Sequence, residues 1–267
     1  MPDRQPGRVS VEESVVFGTG GGRDLHCDVF LPPEPGTDRT AILLVHGGGW
    51  SSGDRTQLRG YGILLARLGF VCVACEYRLS GEAIWPAQIH DVKAALRFVR
   101  ANADRYGIDP DKIAVSGNSA GAHLALMLAG LADGQLEGEG GHPGVSTAIA
   151  ACVAIYPPTE LRVAHPKDMI GLLLGGQVTR EIEIEASPLT YATADFPPTM
   201  LVHGNADEVV PVSASFAMYH ALNRAGAAVE LHVYDGMPHA FDVERDFGRQ
   251  VADLIALFID RKVTAAR

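Results

Sequence analysis

The sequence predicts an α/β fold: a mostly parallel sheet of eight strands covered by helices on both faces, with an antiparallel N-terminal edge. Three observations carry this. From Ala41 onward, short apolar runs of strand length alternate with longer segments of helical periodicity, as βαβ units do. Runs such as Ala41–Val45 and Thr147–Tyr156 are apolar on both alternating sets of positions, as strands buried on two faces are. The 267 residues, 47% of them hydrophobic, supply apolar material for one large core, so a single domain over 1–267 is expected.

In chain order, residues 1–10 are polar and expected to fray. Val11–Phe17 and Leu25–Leu31 read as strands joined by the glycine-rich segment 18–24, a hairpin-type connection. After a proline-rich loop comes the buried strand Ala41–Val45, which runs straight into His46-Gly47-Gly48-Gly49-Trp50. A helix is predicted over Leu58–Leu68, ended by Gly69, and then a strand over Phe70–Tyr77. Pro86 opens a long helix to about Asn102, with Val92, Ala95, Leu96 and Val99 on its apolar face. Residues 107–110 read as a turn, and Lys112–Ser116 as the strand before Gly117-Asn118-Ser119-Ala120-Gly121. A buried helix follows, then a glycine-rich loop over 133–146 and a strand over Thr147–Tyr156. The stretch 157–196 holds a short apolar helix, Met169–Leu174, and is interrupted by Pro166, Gly171, Gly175, Gly176 and Pro188. Insertions at this place lie over the carboxyl ends of the strands, where ligands bind, so it is read as a small lid. Strand Thr199–His203, helix Val212–Gly226, strand Val229–Tyr234 and helix Val243–Lys262 complete the chain.

The net charge of −10 argues against a nucleic-acid or anionic-membrane partner, since both need a basic face. The sequence contains neither an apolar leader segment nor a run long enough to span a bilayer, so a cytoplasmic location is expected. Cys72 and Cys75 form a C-x-x-C pair inside a strand, where residues three apart face opposite sides, so a small apolar role is expected instead of redox chemistry.

A G-x-S-x-G between a strand and a helix is a nucleophile-elbow pattern, with Ser119 held above the sheet at a helix N-terminus. A serine hydroxyl needs a base, and the base an orienting acid. His239 lies in the loop between the last strand and the last helix, at the same end of the sheet. His123, four residues beyond the serine on its own helix, is expected to pack. Asp207 follows a strand and a glycine-containing turn, which favours it over Glu208, Asp235 and Asp242. The N–H groups of Gly48, Gly49 and Ala120 are candidates for an oxyanion hole, with His46 shaping the loop. Trp50 and Asn118 adjoin these motifs and are candidate substrate contacts.

Together these motifs resemble the α/β-hydrolase superfamily over about Val11–Ile259, and within it the HGGG esterases: the hormone-sensitive-lipase and the feruloyl/acetylxylan-esterase-like groups. Tyr77-Arg78-Leu79 and Trp85–Asp91 resemble further family segments, which implies that Arg78 and Asp91 support the catalytic loops. Asn118, where hormone-sensitive-lipase relatives often carry aspartate, and the lack of a helical cap before His46 favour the second group. The resemblance implies a serine carboxylesterase acting on a small-molecule ester, without metal or organic cofactor. Arylformamidases share a glycine-rich loop ending in tryptophan, so amide hydrolysis on the same triad is an alternative, as is a non-catalytic ligand-binding protein. The broken lid implies short acyl chains.

Overall fold

In the computed structural model, which describes residues 5–162, 167–176 and 178–265, eight strands form one sheet among the described residues. The readings placed on residues 1–4 and Pro166 lie outside that range. Strands β1 (Ser10–Gly20) and β2 (Arg23–Leu31) form the expected hairpin, but the strands extend inward until only Gly21-Gly22 turn the chain. Both glycines have positive φ, 60° and 82°, which matches the twist of the strands they join. The remaining strands are β3 (Arg39–Val45), β4 (Val71–Cys75), β5 (Ile108–Asn118), β6 (Ala151–Ile155), β7 (Thr199–Gly204) and β8 (Val229–Tyr234).

The sheet order is β1-β2-β4-β3-β5-β6-β7-β8. The β1–β2 and β2–β4 pairs are antiparallel, and every pair from β4 to β8 is parallel. From β3 the chain first steps to β4 and later crosses to β5 on the other side, so the order reverses between β3 and β5. A crevice opens at the carboxyl ends of strands at such a reversal. Val45 pairs with Gly117 there, which brings the glycine loop after β3 beside the elbow after β5.

Helices α1 (Arg59–Ala66), α2 (Ala87–Ala101), α3 (Ala103–Tyr106), α4 (Ala120–Gly130), α5 (Lys167–Leu173), α6 (Arg180–Glu185), α7 (Ser213–Ala225) and α8 (Arg245–Ile259) surround the sheet. Strand side chains alternate between two cores. Ile42, Leu44 and Cys72 pack with Leu65 of α1 and Val251 and Ile255 of α8. Leu43, Val45 and Cys75 pack with Leu96 of α2, Leu124 of α4 and Met218 of α7. Each such large side chain contributes about 1.5–3 kcal/mol on burial. Cys72 and Cys75 therefore face opposite cores as free thiols, and burial raises the pKa of both.

Three local readings change. The strand expected over Thr147–Tyr156 is shortened to Ala151–Ile155, and the Thr147 N–H donates to Asp133 Oδ1 at 2.7 Å instead of to a neighbouring strand. Residues 108–110 belong to β5, because Ile108 pairs with Arg39; the turn is Gly107, left-handed at φ 64°, closing α3. Helix α6 lacks helical apolar periodicity and was not foreseen. Its support is terminal: Thr179 accepts from the Ile182 N–H at 3.3 Å, and Glu181 and Glu183 occupy the positive first turn. The loop expected over 133–146 is present, tied to α2 by Lys93 and Arg97, whose buried cations meet Glu137 at 2.6 and 2.5 Å. Among the described residues, no helix is long and apolar enough to cross a membrane.

Candidate functional site

Strand β5 ends at Asn118 and α4 begins at Ala120, so Ser119 alone must reverse the chain. It does so at φ 53°, ψ −118°, a region that non-glycine residues avoid and that functional sites retain. The surroundings over-determine this geometry. The Ser119 N–H donates to Ile155 O at 2.9 Å, and its carbonyl accepts from the His123 N–H at 3.0 Å. Gly121 lets the helix lie against β3: a Cβ there would sit 2.0 Å from the carbonyl oxygen of Val45.

His239 and Asp207 arrive on two loops joined to one another. Asn205 N–H donates to Tyr234 O and Ala206 N–H to Met237 O, both at 3.0 Å. The Asn205 side chain binds Asp235 Oδ1 at 2.9 Å and the Gly236 N–H at 2.6 Å. These contacts place Asp207 Oδ2 2.6 Å from His239 Nδ1, and His239 Nε2 3.0 Å from Ser119 Oγ. With Nδ1–H donating to the carboxylate, the Nε2 lone pair faces the serine hydroxyl. The three residues singled out in the sequence thus meet in one hydrogen-bonded line. Asp235 is engaged by Asn205 instead, and Asp242 by other partners.

Burial would raise the Asp207 pKa, but hydrogen bonds from His203, His239 and the Val210 N–H outweigh it and hold the carboxyl well below the usual range. His203, which the sequence analysis left without a role, is fully buried beneath this carboxylate. Its Nε2 lies 2.9 Å from Val210 O and 3.2 Å from Asp207 Oδ2, so it carries the proton, while Nδ1 accepts from Ser215 Oγ at 2.7 Å. The only sequence hint was its place four residues before Asp207, at the end of a strand.

A second cluster was also missed. Asp242 accepts from Tyr61 OH at 2.7 Å, from Asn118 Nδ2 at 2.6 Å and from Tyr156 OH. The Tyr156 ring packs on His239 with centroids 4.6 Å apart. Asn118 therefore spends its amide on Asp242 and, at 3.0 Å, on Tyr156 OH, while still lining the cavity. An aspartate at 118 would set two carboxylates against one another, which explains the amide at this position.

Gly48, at φ 110°, lets the loop after β3 fold over the serine; a Cβ there would meet the Ser52 carbonyl oxygen at 2.1 Å. His46 is buried beneath, stacked on Tyr77 at 4.3 Å, and the Tyr77 hydroxyl donates to His46 O at 3.0 Å. Arg78 binds Asp91 at 2.8 Å through side chain and backbone N–H alike, and Ser80 N–H donates to Trp50 O at 2.8 Å, so this segment does brace the glycine loop. His123 packs, as expected. Trp50 Nε1–H donates to its Nδ1 at 3.2 Å, and its Nε2–H donates to Ala186 O at 2.7 Å. Burial lowers its pKa to about 4, so it is neutral.

Gly48, Gly49, Trp50, Asn118, Ser119, Ala120 and His239 line one cavity of about 870 Å³. Pro158 and Met169 of the stretch read as a lid also line it. No group of described residues has the composition and proximity to hold a metal ion.

The comparisons agree with this geometry. The chain is 33% identical over 270 residues to esterase LipQ of Mycobacterium tuberculosis, covering 95% of this chain and 64% of LipQ. It spans between 54% and 64% of the length of the first curated relatives it matches. The propionate-bound structure of Est2, an esterase of Thermogutta terrifontis, superposes with a TM-score of 0.83 at 28% identity, covering 96% of each chain. Esterase 2 of the same organism phosphorylated by paraoxon gives a TM-score of 0.81 at 28% identity over 100% of this chain and 98% of that one. The fold is that of the α/β-hydrolase esterases. The family model described as BD-FAE matches residues 27–222, from β2 through the glycine loop and elbow into α7, and this chain belongs to the BD-FAE family.

Proposed function

We propose that the protein is a serine esterase that cleaves short-chain acyl esters through an acyl-enzyme. Ser119 Oγ attacks the ester carbonyl carbon while His239 Nε2 takes its proton, and Asp207 orients the imidazole and stabilises its cation. The N–H groups of Gly48, Gly49 and Ala120 hold the oxyanion. His239 returns the proton to the leaving alcohol, and water then repeats the sequence on the acyl-enzyme. Trp50 and Asn118 bound the substrate, and residues 157–196 act as a partial lid on the single domain. No metal or organic cofactor enters the scheme.

The observation that carries this reading is the line from Asp207 through His239 to Ser119, at 2.6 and 3.0 Å, ending on a serine in a strained elbow. A fluorophosphonate is expected to label Ser119 stoichiometrically, with the adduct located by peptide mass spectrometry. Ser119→Ala should lose both labelling and nearly all ester hydrolysis with an unchanged circular dichroism spectrum; persistent labelling of the variant would overturn the assignment. Each methylene accepted by an apolar pocket adds about 0.8 kcal/mol. A short pocket loses that gain early, so kcat/KM should be highest from acetyl to butyryl esters. A steady rise to decanoyl esters contradicts the short pocket and leaves the nucleophile untouched.

A further inference from the structure

The cavity does not end at Ser119. It continues as a cleft walled by Leu58, Tyr61 and Leu64 on the α1 side and by Val243, Arg245 and Arg249 on the α8 side. Leu58, Tyr61 and Leu64 recur every third residue and present an apolar wall. Arg245 and Arg249 are four apart, so they share one face of α8. Among the described residues neither arginine forms an ion pair, whereas Arg59 on α1 is held by Glu13 at 2.7 Å. The only carboxylate among the described lining residues is Asp242, and Tyr61, Tyr156 and Asn118 already occupy it. Glu244 and Asp246 flank Arg245 in the chain but do not line the cleft. Both arginines are exposed, and with Asp242 already engaged they are, among the described residues, the free charged side chains that line the cavity holding Ser119.

We propose that the cleft selects anionic esters: substrates with the reacting carbonyl at Ser119, an apolar stretch along Leu58, Tyr61 and Leu64, and a distal carboxylate held by Arg245 and Arg249. The guanidinium fork matches a carboxylate in shape and charge, so a paired arginine wall discriminates against a neutral end of equal size. Either the acyl or the alcohol half of the ester can carry that carboxylate, and the probes below separate the two. The inference rests on the serine-esterase reading for the ester but not for the anion, so it is tested with and without turnover.

Acyl-side probes are the monoethyl esters of succinate, glutarate and adipate, each against the ethyl ester of the monocarboxylic acid of equal length. The alcohol-side probe is acetoxybutanoate against butyl acetate. Hydrolysis followed by pH-stat should favour a carboxylated ester over its neutral partner by about tenfold in kcat/KM. That ratio should shrink with added salt and fall to about one in the double variant Arg245→Gln/Arg249→Gln. Calorimetry of the intact esters on Ser119→Ala should show the same preference, abolished when both arginine changes are added. A ratio that survives the double variant, or no preference by either measurement, overturns the anion site. Preferential binding without any turnover by the wild type upholds the anion site and overturns the esterase reading.

Discussion

At the residue scale the site turns on how one carboxylate is satisfied. Asp207 Oδ1 accepts the Val209 and Val210 N–H groups, both at 2.8 Å, and Oδ2 faces the two histidines. Every lone pair it can offer is thus directed, and the carboxyl stays ionised far into acid. Asp207→Asn keeps the volume and the two backbone bonds. It turns an N–H₂ toward His239 Nδ1, however, and so favours the tautomer with its proton on Nε2, where it cannot accept from Ser119. The expected result is a loss of up to roughly 10⁴ in kcat with the fold intact, measured on an acetate ester beside circular dichroism. Asp235→Asn should cost far less, because among the described residues the Asp235 side chain serves the loop contact with Asn205 and does not touch His239. The reverse ranking would mean that the orienting carboxylate has been misassigned.

At the scale of elements, the elbow works because α4 starts almost in contact with the end of β3. A Cβ at position 121 would lie 2.0 Å from Val45 O and 2.5 Å from His46 O, backbone atoms fixed by the sheet. Gly121→Ala must push α4 away from β3 and with it move Ser119 relative to the glycine loop. Overpacking against rigid backbone is expected to cost at least about 3 kcal/mol, read from urea unfolding. Gly60, in helix α1, is the opposite case: its Cβ would meet nothing within 4 Å. Gly60→Ala should stabilise by up to about 1 kcal/mol, through helix propensity and a less flexible unfolded chain. Comparable losses at both positions would show that the close approach at 121 is not what demands glycine there.

At the scale of the whole molecule, buried neutral histidines make stability depend on acid. His123 has a pKa near 4 in the folded chain, against about 6.5 when unfolded. Between these values the unfolded chain binds a proton that the folded one refuses, so stability rises with pH through this window and falls on acidification. The loss from this one group amounts to about 3 kcal/mol by pH 4. Burial lowers the pKa of His46 as well, and it adds in the same direction. Asp207 acts separately: its contribution is present above the ordinary carboxylate range and is lost only as pH falls below it. Urea unfolding across the His123 window should therefore show a clear slope, reduced by about one proton in His123→Gln. Equal slopes in the two proteins would mean that His123 is protonated when folded, and that its contact with Trp50 is not the one described.

The alternation of strand and helix periods, the glycine loop, the elbow and the two loop residues Asp207 and His239 were legible in the sequence, because each is a local signal: a spacing of two or 3.6, a tight turn, or a polar residue just past a strand end. The packing role of His123 and the brace from Arg78 to Asp91 were legible too, the first from helix geometry and the second by resemblance. Tertiary structure decided the rest. Tyr61 and Asp242 stand 181 positions apart and meet because α1 and α8 lie on the same face of the sheet. His203 reaches Asp207 only through the turn that β7 makes at its end, and Arg245 and Arg249 line one cavity with Leu64 only because α1 and α8 pack on the same face of the sheet. Such contacts depend on strand order and on which helix covers which face. Those are choices among long-range pairings of similar local sequence, settled by the packing of the whole core and written in no single stretch of the chain.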